Sequence, residues 1–312
     1  MPRWLKITLG VLGAFILLLF VNAFFVARQT KPANASAAGQ IVDAPGGAIH
    51  VSETGKGPPI VLLHGWACAV NWFDRITPAL SKGHRVVRID LLGHGDSAKP
   101  RDGYSMEQQA DRVAAVLERL GVRRAMIAGH STGGEIAIAL AGRHPELTRN
   151  LVVIDAEPNE DYVTVDDPLA KLSLKPVIGP GLWRITPDSA VRDGLKMAFA
   201  NDSVPVPQQF IDDFRKMTFS SYKKTADESA DYVDDHDLLK DITATAKAKP
   251  VLIIFGAEDR LIKPDESIAS YRRQVPSAQT QLVAGAGHSP HWEKPAQTAA
   301  LMLRFDRGAT KN

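Results

Sequence analysis

The sequence predicts an α/β protein, a doubly wound and mostly parallel sheet with an inserted helical cap, and three observations carry that expectation. Continuous apolar runs such as Ile60-Val61-Leu62-Leu63, Leu151 to Ile154 and Val251 to Phe255 have the composition of strands buried on both faces. Helical patterns separate them: between Met106 and Leu120, the residues Ala110, Val113, Ala114 and Leu117 share one face, and Gly121 ends the run. The alternation then breaks from about Glu157 to Lys249, a stretch too long for a single loop and rich in helix formers and proline.

Residues 1–39 stand apart from that pattern. Arg3 and Lys6 precede an apolar run from Ile7 to Val26 in which only Thr8 and Asn22 are polar. About 20 helical residues cross a bilayer core, so the run reads as an uncleaved single-pass anchor. The alternative is a secretory signal that releases a secreted or periplasmic protein, because Ala33-Asn34-Ala35 and Ala35-Ser36-Ala37 resemble cleavage sites. The run is longer than the ~7–15 apolar residues usual in a signal, and Arg28 and Lys31 separate it from those sites. Basic residues flank both ends, which leaves the facing side of the membrane open. Lys31 to Gly39 reads as a short tether.

Residues 40–156 read as the first part of the core. Gln40 to Glu53 around Pro45-Gly46-Gly47 has the pattern of a hairpin. The strands Ile60 to Leu63 and Arg85 to Asp90 follow, then the helix from Met106, a strand over Arg124 to Ala128 leading into helical Gly134 to Ala141, and the Leu151 strand. Residues 157–249 form the expected cap. Its aromatics Trp183, Phe199, Phe210, Phe214 and Phe219 are expected to fill the cap interior, with one or two lining a substrate pocket. The acidic run from Asp231 to Asp237 reads as a solvated face, since no metal-ligand spacing recurs in it. Residues 250–312 complete the core with strands at Val251 to Phe255 and Gln281 to Val283 and a helix from about Ala296 to Phe305.

A hydrophobic content of 45% over 312 residues is ample for such a core, and a net charge of +2 gives no electrostatic footprint for nucleic acid. Cys68 is the only cysteine, so no intrachain disulfide forms and the count does not fix a compartment.

The chemistry concentrates in Gly129-His130-Ser131-Thr132-Gly133. Between a predicted strand and a predicted helix, this G-x-S-x-G pentapeptide is the signature of a nucleophile elbow, a sharp turn that exposes a serine hydroxyl. A serine needs a base, and the base needs an orienting acid. Of nine histidines, His288 follows the last predicted strand and so reaches the same sheet edge as Ser131. His291 reads as a pocket residue or a support behind the base, and His64, His94 and His130 as structural hydrogen-bonding residues. Two acids end strands, Asp155 and Asp259. Asp259 is preferred because its strand immediately precedes that of His288. The Thr132 amide, directly after the nucleophile, and the Trp66 amide, after the Ile60 strand, are the candidate oxyanion donors. Cys68 reads as a small buried hydrophobe rather than a second nucleophile.

These residues together resemble the α/β-hydrolase fold superfamily over about residues 40 to 308. The matches are His64-Gly65-Trp66, Gly93-His94-Gly95-Asp96-Ser97, the Gly129–Gly134 elbow, Gly256-Ala257-Glu258-Asp259 and the ending Gly287-His288-Ser289-Pro290-His291-Trp292-Glu293-Lys294-Pro295. The resemblance implies a Ser131–His288–Asp259 triad, an oxyanion hole from the Trp66 and Thr132 amides, and no metal or organic cofactor. Ser131 separates the chain from epoxide hydrolases and haloalkane dehalogenases, which carry Asp at the elbow. Carbon–carbon bond hydrolases share the ending but usually carry Asn before the nucleophile and Trp after the base, where this chain has His130 and Ser289. Gly-His-Ser-Thr-Gly-Gly is similar to esterases and to cofactor-free haloperoxidases (perhydrolases), and an anchored, capped enzyme resembles membrane-bound monoacylglycerol lipases. The expectation is a serine hydrolase of the esterase or lipase branch, acting on a small apolar ester or lipid. Carbon–carbon hydrolysis, perhydrolysis and a non-catalytic binding role are the alternatives.

Overall fold

The computed structural model describes residues 2–164, 168–234 and 237–309. Eight strands form one sheet: β1 (Gln40–Val42), β2 (Ile49–Thr54), β3 (Pro59–Leu63), β4 (Arg85–Ile89), β5 (Ala125–His130), β6 (Thr148–Ile154), β7 (Val251–Gly256) and β8 (Gln279–Val283). Their spatial order is β1-β2-β4-β3-β5-β6-β7-β8. β2 runs against its neighbours and the remaining pairings are parallel. The chain is therefore an α/β protein with the doubly wound sheet read from its apolar runs.

The strand pleat divides the core in two. Val61, Leu63, Val87, Ile89, Ile127, Leu151, Val153, Ile253 and Phe255 face helices Met106–Arg119, Thr132–Arg143 and Pro264–Gln274. Ile60, Leu62, Val86, Met126, Ala128, Val152, Ile154, Leu252 and Ile254 face the helix Pro295–Ala309. Alternate residues of one apolar run thus serve opposite layers, which is why the central strands carry no polar side. β8 lies at the sheet edge with Gln279, Gln281 and Leu282 exposed, so only its last residues stand out as a strand in the sequence.

Among the described residues, the α-helices between β6 and β7 are Pro168–Ser173, Ile178–Ile185, Asp188–Leu195, Gln208–Lys216, Phe219–Asp234 and Asp237–Ala248. The last of them returns to the sheet layer, where Leu238 and Ile242 join the main core. In the acidic run Asp231 and Asp234 are exposed, while Tyr232 and Val233 are buried. Residues 235 and 236 lie outside the described ones.

The N-terminal helix Arg3–Ala27 is long and apolar enough to cross a membrane, with mean hydropathy 2.6 over its most apolar window. Only Ala23 and Val26 are buried in it. These two pack where Asn22 Oδ1 accepts a hydrogen bond from Arg184 at 2.8 Å, on the helix Ile178–Ile185. The tether beyond is pinned as well. Lys31 pairs with Lys99 as a β-bridge, and its ammonium donates to the carbonyls of Lys216 and Met217 at 2.9 and 3.0 Å, closing the C-terminus of the helix Gln208–Lys216. Asn34 donates to Asp96 at 3.0 Å.

Candidate active site

β5 ends at His130 and the next helix begins at Thr132, so Ser131 alone reverses the chain, at φ 51° and ψ −128°. A non-glycine residue in that region carries strain on the order of 1–3 kcal/mol and persists only where the surroundings impose it. Here they do. A Cβ on Gly129 would collide with the Gly133 carbonyl, and one on Gly133 with the carbonyls of Leu63 and His64. The two flanking glycines are steric requirements of close packing between strand, helix and the loop after β3. The Ser131 amide is held by the Ile154 carbonyl at 2.8 Å.

His288 lies in the loop after β8, and its Nδ1–H donates to Asp259 Oδ2 at 2.7 Å. Asp259 is fixed in turn, because its Oδ1 accepts the amides of Leu261 and Ile262 at 2.7 and 3.1 Å. The geometry brings together Ser131, His288, Trp66 and Thr132, which line one cavity of about 320 Å³. Among the described residues neither the Ser131 hydroxyl nor His288 Nε2 has a hydrogen-bond partner, so both are free to meet a substrate. Burial opposes a charged imidazole at His288. The Asp259 carboxylate outweighs it and raises the His288 pKa to about 9.

Thr132 is the first residue of its helix, so its amide has no acceptor within that helix. The Trp66 amide donates no backbone hydrogen bond either. Its indole is anchored, stacking on Tyr222 at 4.5 Å and donating to the Tyr222 carbonyl at 2.8 Å. Cys68 is buried with Trp72, Phe199 and Phe210, and burial pushes its thiol pKa well up, which removes the thiolate a nucleophile needs.

The remaining histidines build the platform. His64 Nε2 accepts the Leu91 amide at 3.0 Å, which assigns its proton to Nδ1, facing the Gly65 carbonyl at 2.8 Å. His94 Nδ1 meets the Leu92 carbonyl at 3.2 Å. His130 Nε2 lies 2.7 Å from the His288 carbonyl and therefore carries the proton of that bond. His291 is no part of the cavity lining. It is buried against His130 and Phe73, with ring centroids 4.5 and 5.0 Å away.

The aromatics Trp183, Phe199, Phe210, Phe214 and Phe219 do not line the cavity, against expectation. Phe199 and Phe210 stack on Trp72, while Trp183 packs on Phe214, Phe219 and Tyr222. The wall over the serine is instead made of small residues from the helix Phe219–Asp234, namely Ala226, Ser229, Ala230 and Val233. Aromatic content marked the interior of the insertion, and the small face of its longest helix marked the pocket.

Two further lining residues, Glu135 and Glu157, went unread. Glu135 is four residues beyond Ser131 on the same helix and is the one charge in an apolar stretch, which was the available signal. Burial, then Glu157, raise its pKa well above the usual carboxylate range, and Ser229 donates to its Oε2 at 2.7 Å.

Among the described residues, two side-chain groups have the donor atoms for a metal ion, His50–Asp90–Asp96 and Asp155–Asp259–His288. In the first, Asp90 is committed to His50 Nδ1 at 2.8 Å and to the amides of Val70 and Asp96 at 2.8 and 2.9 Å. This closed network ties the loops after β3 and β4 together. In the second, Asp155 directly follows β6 at φ 47°, fully buried, and its Oδ1 accepts the Gly256 amide at 2.8 Å. Asp259, not Asp155, holds the His288 ring nitrogen.

The family model for the alpha/beta hydrolase fold matches residues 58–295. A 2-hydroxymuconate semialdehyde hydrolase from a Pseudomonas species is 30% identical over 301 residues, covering 89% of this chain and 96% of its own. An esterase from Exiguobacterium antarcticum superposes with a TM-score of 0.71 at 21% identity, covering 86% of this chain and 99% of its own. A membrane phospholipase A, described as a bacterial virulence factor, superposes with a TM-score of 0.70 at 25% identity. It covers 99% of this chain and 97% of its own.

Proposed function

Because the chain belongs to the alpha/beta hydrolase fold family, we propose that it is a serine hydrolase that cleaves an apolar carboxylic ester or lipid through an acyl-Ser131 intermediate. The observation that carries this reading is the strained Ser131 sharing one cavity with a His288 already oriented by Asp259 at 2.7 Å. Ser131 Oγ attacks the ester carbonyl, and His288 Nε2 takes its proton and passes it to the leaving alcohol. Asp259 holds the ring and stabilises the imidazolium. The amides of Trp66 and Thr132 receive the developing oxyanion, a contribution of about 10²–10³ in turnover per donor. Water then hydrolyses the acyl-serine.

The N-terminal helix supports a lipid-like substrate. At ~1.5 Å per residue its 25 residues extend about 37 Å. The part before Asn22 extends only about 28 Å, short of a bilayer core of ~30 Å. A spanning helix therefore brings its docked turn, and with it the helix Ile178–Ile185, to the membrane surface. That inserted helix carries Ile185 at 75% exposure and Ile178 at 45%, as an interfacial contact would require. The membrane phospholipase A covers 99% of this chain, so the likeness includes the N-terminal helix.

Carbon–carbon bond hydrolysis is the second reading, favoured by the 30% identity to the 2-hydroxymuconate semialdehyde hydrolase. The small-residue wall and the Glu135–Glu157 pair are compatible with either. Fluorophosphonate labelling of the full chain in detergent, followed by p-nitrophenyl esters from acetate to palmitate and a vinylogous diketone, separates them. Labelling that disappears in Ser131→Ala, with ester turnover rising towards longer acyl chains, is the expected result. Preference for the diketone supports the second reading. A folded protein that neither labels nor turns over either class is a binding protein.

A further inference from the structure

We propose that Asp155 and Asp259 share one proton, carried on Asp155 Oδ2, and that this neutral carboxyl is a positioning residue for Asp259. The proposal rests on the hydrolase reading for its consequence and on hydrogen-bond accounting for its substance. Asp259 accepts three donors, from His288 and the amides of Leu261 and Ile262. Three donors favour a charged carboxylate. Asp155 has one donor, the Gly256 amide on Oδ1. Its Oδ2 is fully buried and has no donor at all. A carboxylate oxygen in that position is an orphan, whereas a protonated one becomes a donor, and an Asp259 oxygen lies within 4.8 Å of an Asp155 oxygen. Of two carboxyl groups this close in a buried site, the one with fewer donors keeps the proton.

Among the described residues, none of the groups around Asp155 donates to its Oδ2. From the loop after β7 it faces Asp259, and from the loop after β8, His288, whose Nδ1 is already taken. Glu157, on its own loop, adds negative charge to the same region. From the helix Pro264–Gln274 comes Tyr271, whose hydroxyl donates to the Ala156 carbonyl at 3.0 Å and so supplies nothing to Asp155. Burial and the neighbouring Asp259 both push the Asp155 carboxyl towards its neutral form. The backbone fits the same role, since φ 47° is a conformation that Asp and Asn tolerate better than other side chains.

With the proton on Asp155, Asp259 is held by donors on every side, and its one negative charge is directed at His288. Asn at 155 keeps both bonds, accepting from Gly256 and donating to Asp259. Ala keeps neither. On the full chain in detergent, with the p-nitrophenyl ester it turns over best, Asp155→Asn is expected to stay within about threefold of wild type in kcat. It should also leave the limb of the rate–pH profile set by His288 in place. Asp155→Ala is expected to lower kcat about tenfold or more with KM within about twofold, as loss of an orienting partner does. The infrared difference spectrum of wild type minus Asp155→Asn should contain the C=O band of one protonated carboxyl at neutral pH, a readout that Glu135 cancels out of. Absence of that band overturns the proposal. So does movement of the rate limb to lower pH in Asp155→Asn, since only a charged Asp155 would have been raising the His288 pKa. Should Asp155→Ala not fold, the Asn variant decides by both readouts. Loss of fluorophosphonate labelling in wild type would remove the hydrolase reading while the infrared result still stands or falls alone.

Discussion

The floor and the roof of the cavity are built by different rules. The floor is the carboxyl edge of the sheet, where Ser131, Asp259 and His288 end or follow strands and every neighbour is fixed by backbone: glycines that nothing larger can replace, amides that lock Asp259, a carbonyl that locks His130. The roof is the helix Phe219–Asp234, which lines the cavity with Ala226, Ser229, Ala230 and Val233; among these only Ser229 hydrogen-bonds a group of the site, the Glu135 carboxyl. Backbone sterics leave a signature in residue type and spacing. A smooth helical wall leaves almost none, because many sequences of small residues would make it.

That difference sets how substitutions should behave. The largest effect is expected at the proposed nucleophile: Ser131→Ala should lose about 10⁴-fold or more in kcat/KM for any ester the protein cleaves. Ser131→Gly should lose as much activity but relieve the φ strain, with a thermal midpoint higher by about 2–4 °C for each kcal/mol relieved. A midpoint that falls in the Gly variant would mean the elbow is not strained. Next comes Gly133→Ala, which drives a methyl into the carbonyls of Leu63 and His64. It should destabilise by more than about 4 kcal/mol and leave little folded protein in a denaturation assay.

The pH dependence is smaller and tests the floor's electrostatics. On the proposed mechanism the base is the neutral imidazole, so the rate should rise as pH passes through the His288 pKa. Since that pKa is raised to about 9, the rising limb of kcat/KM should lie on the alkaline side of neutrality rather than near the ordinary histidine value. The same raised pKa stabilises the fold fully below the unfolded value of ~6.5 and loses that contribution as pH climbs towards the folded value. An inflection at or below the ordinary value would break this account.

At the roof, Ala230→Phe should reduce kcat/KM for a palmitate ester about tenfold or more while sparing the acetate, because it fills space without touching the chemistry. Equal loss on both would mean that the wall is as tightly specified as the floor. The smallest effect is expected at Cys68→Ala. Activity should be unchanged, iodoacetamide should not inactivate the wild type, and stability should fall by about 1 kcal/mol for a small cavity.

Legibility in the sequence followed the same division. The buried strands, the elbow and the order Ser131, Asp259, His288 were readable, since each rests on burial or on a turn that few residues allow. Strand order placed Asp259 rather than Asp155 beside His288, and Asp259 and His288 are hydrogen-bonded at 2.7 Å. The role proposed for Asp155 was not readable, because a second buried acid at a strand end looks in sequence like an alternative to the first rather than its partner. The aromatics of the insertion fill its interior as read, but the one or two expected to line the pocket do not, since large side chains signal burial without saying which side of a helix layer they fill. The edge strand β8 was seen only at its last residues, because solvent on its outer edge removes the apolar run.

The short stretch between the N-terminal helix and the sheet has the composition of a leash, yet Lys31 is fastened to Lys99, Lys216 and Met217, and Asn34 to Asp96. Together with the Asn22–Arg184 contact, this makes it a bracket. These contacts restrict the height of the cavity above the base of the helix, so that a lean of the helix should carry the hydrolase body with it.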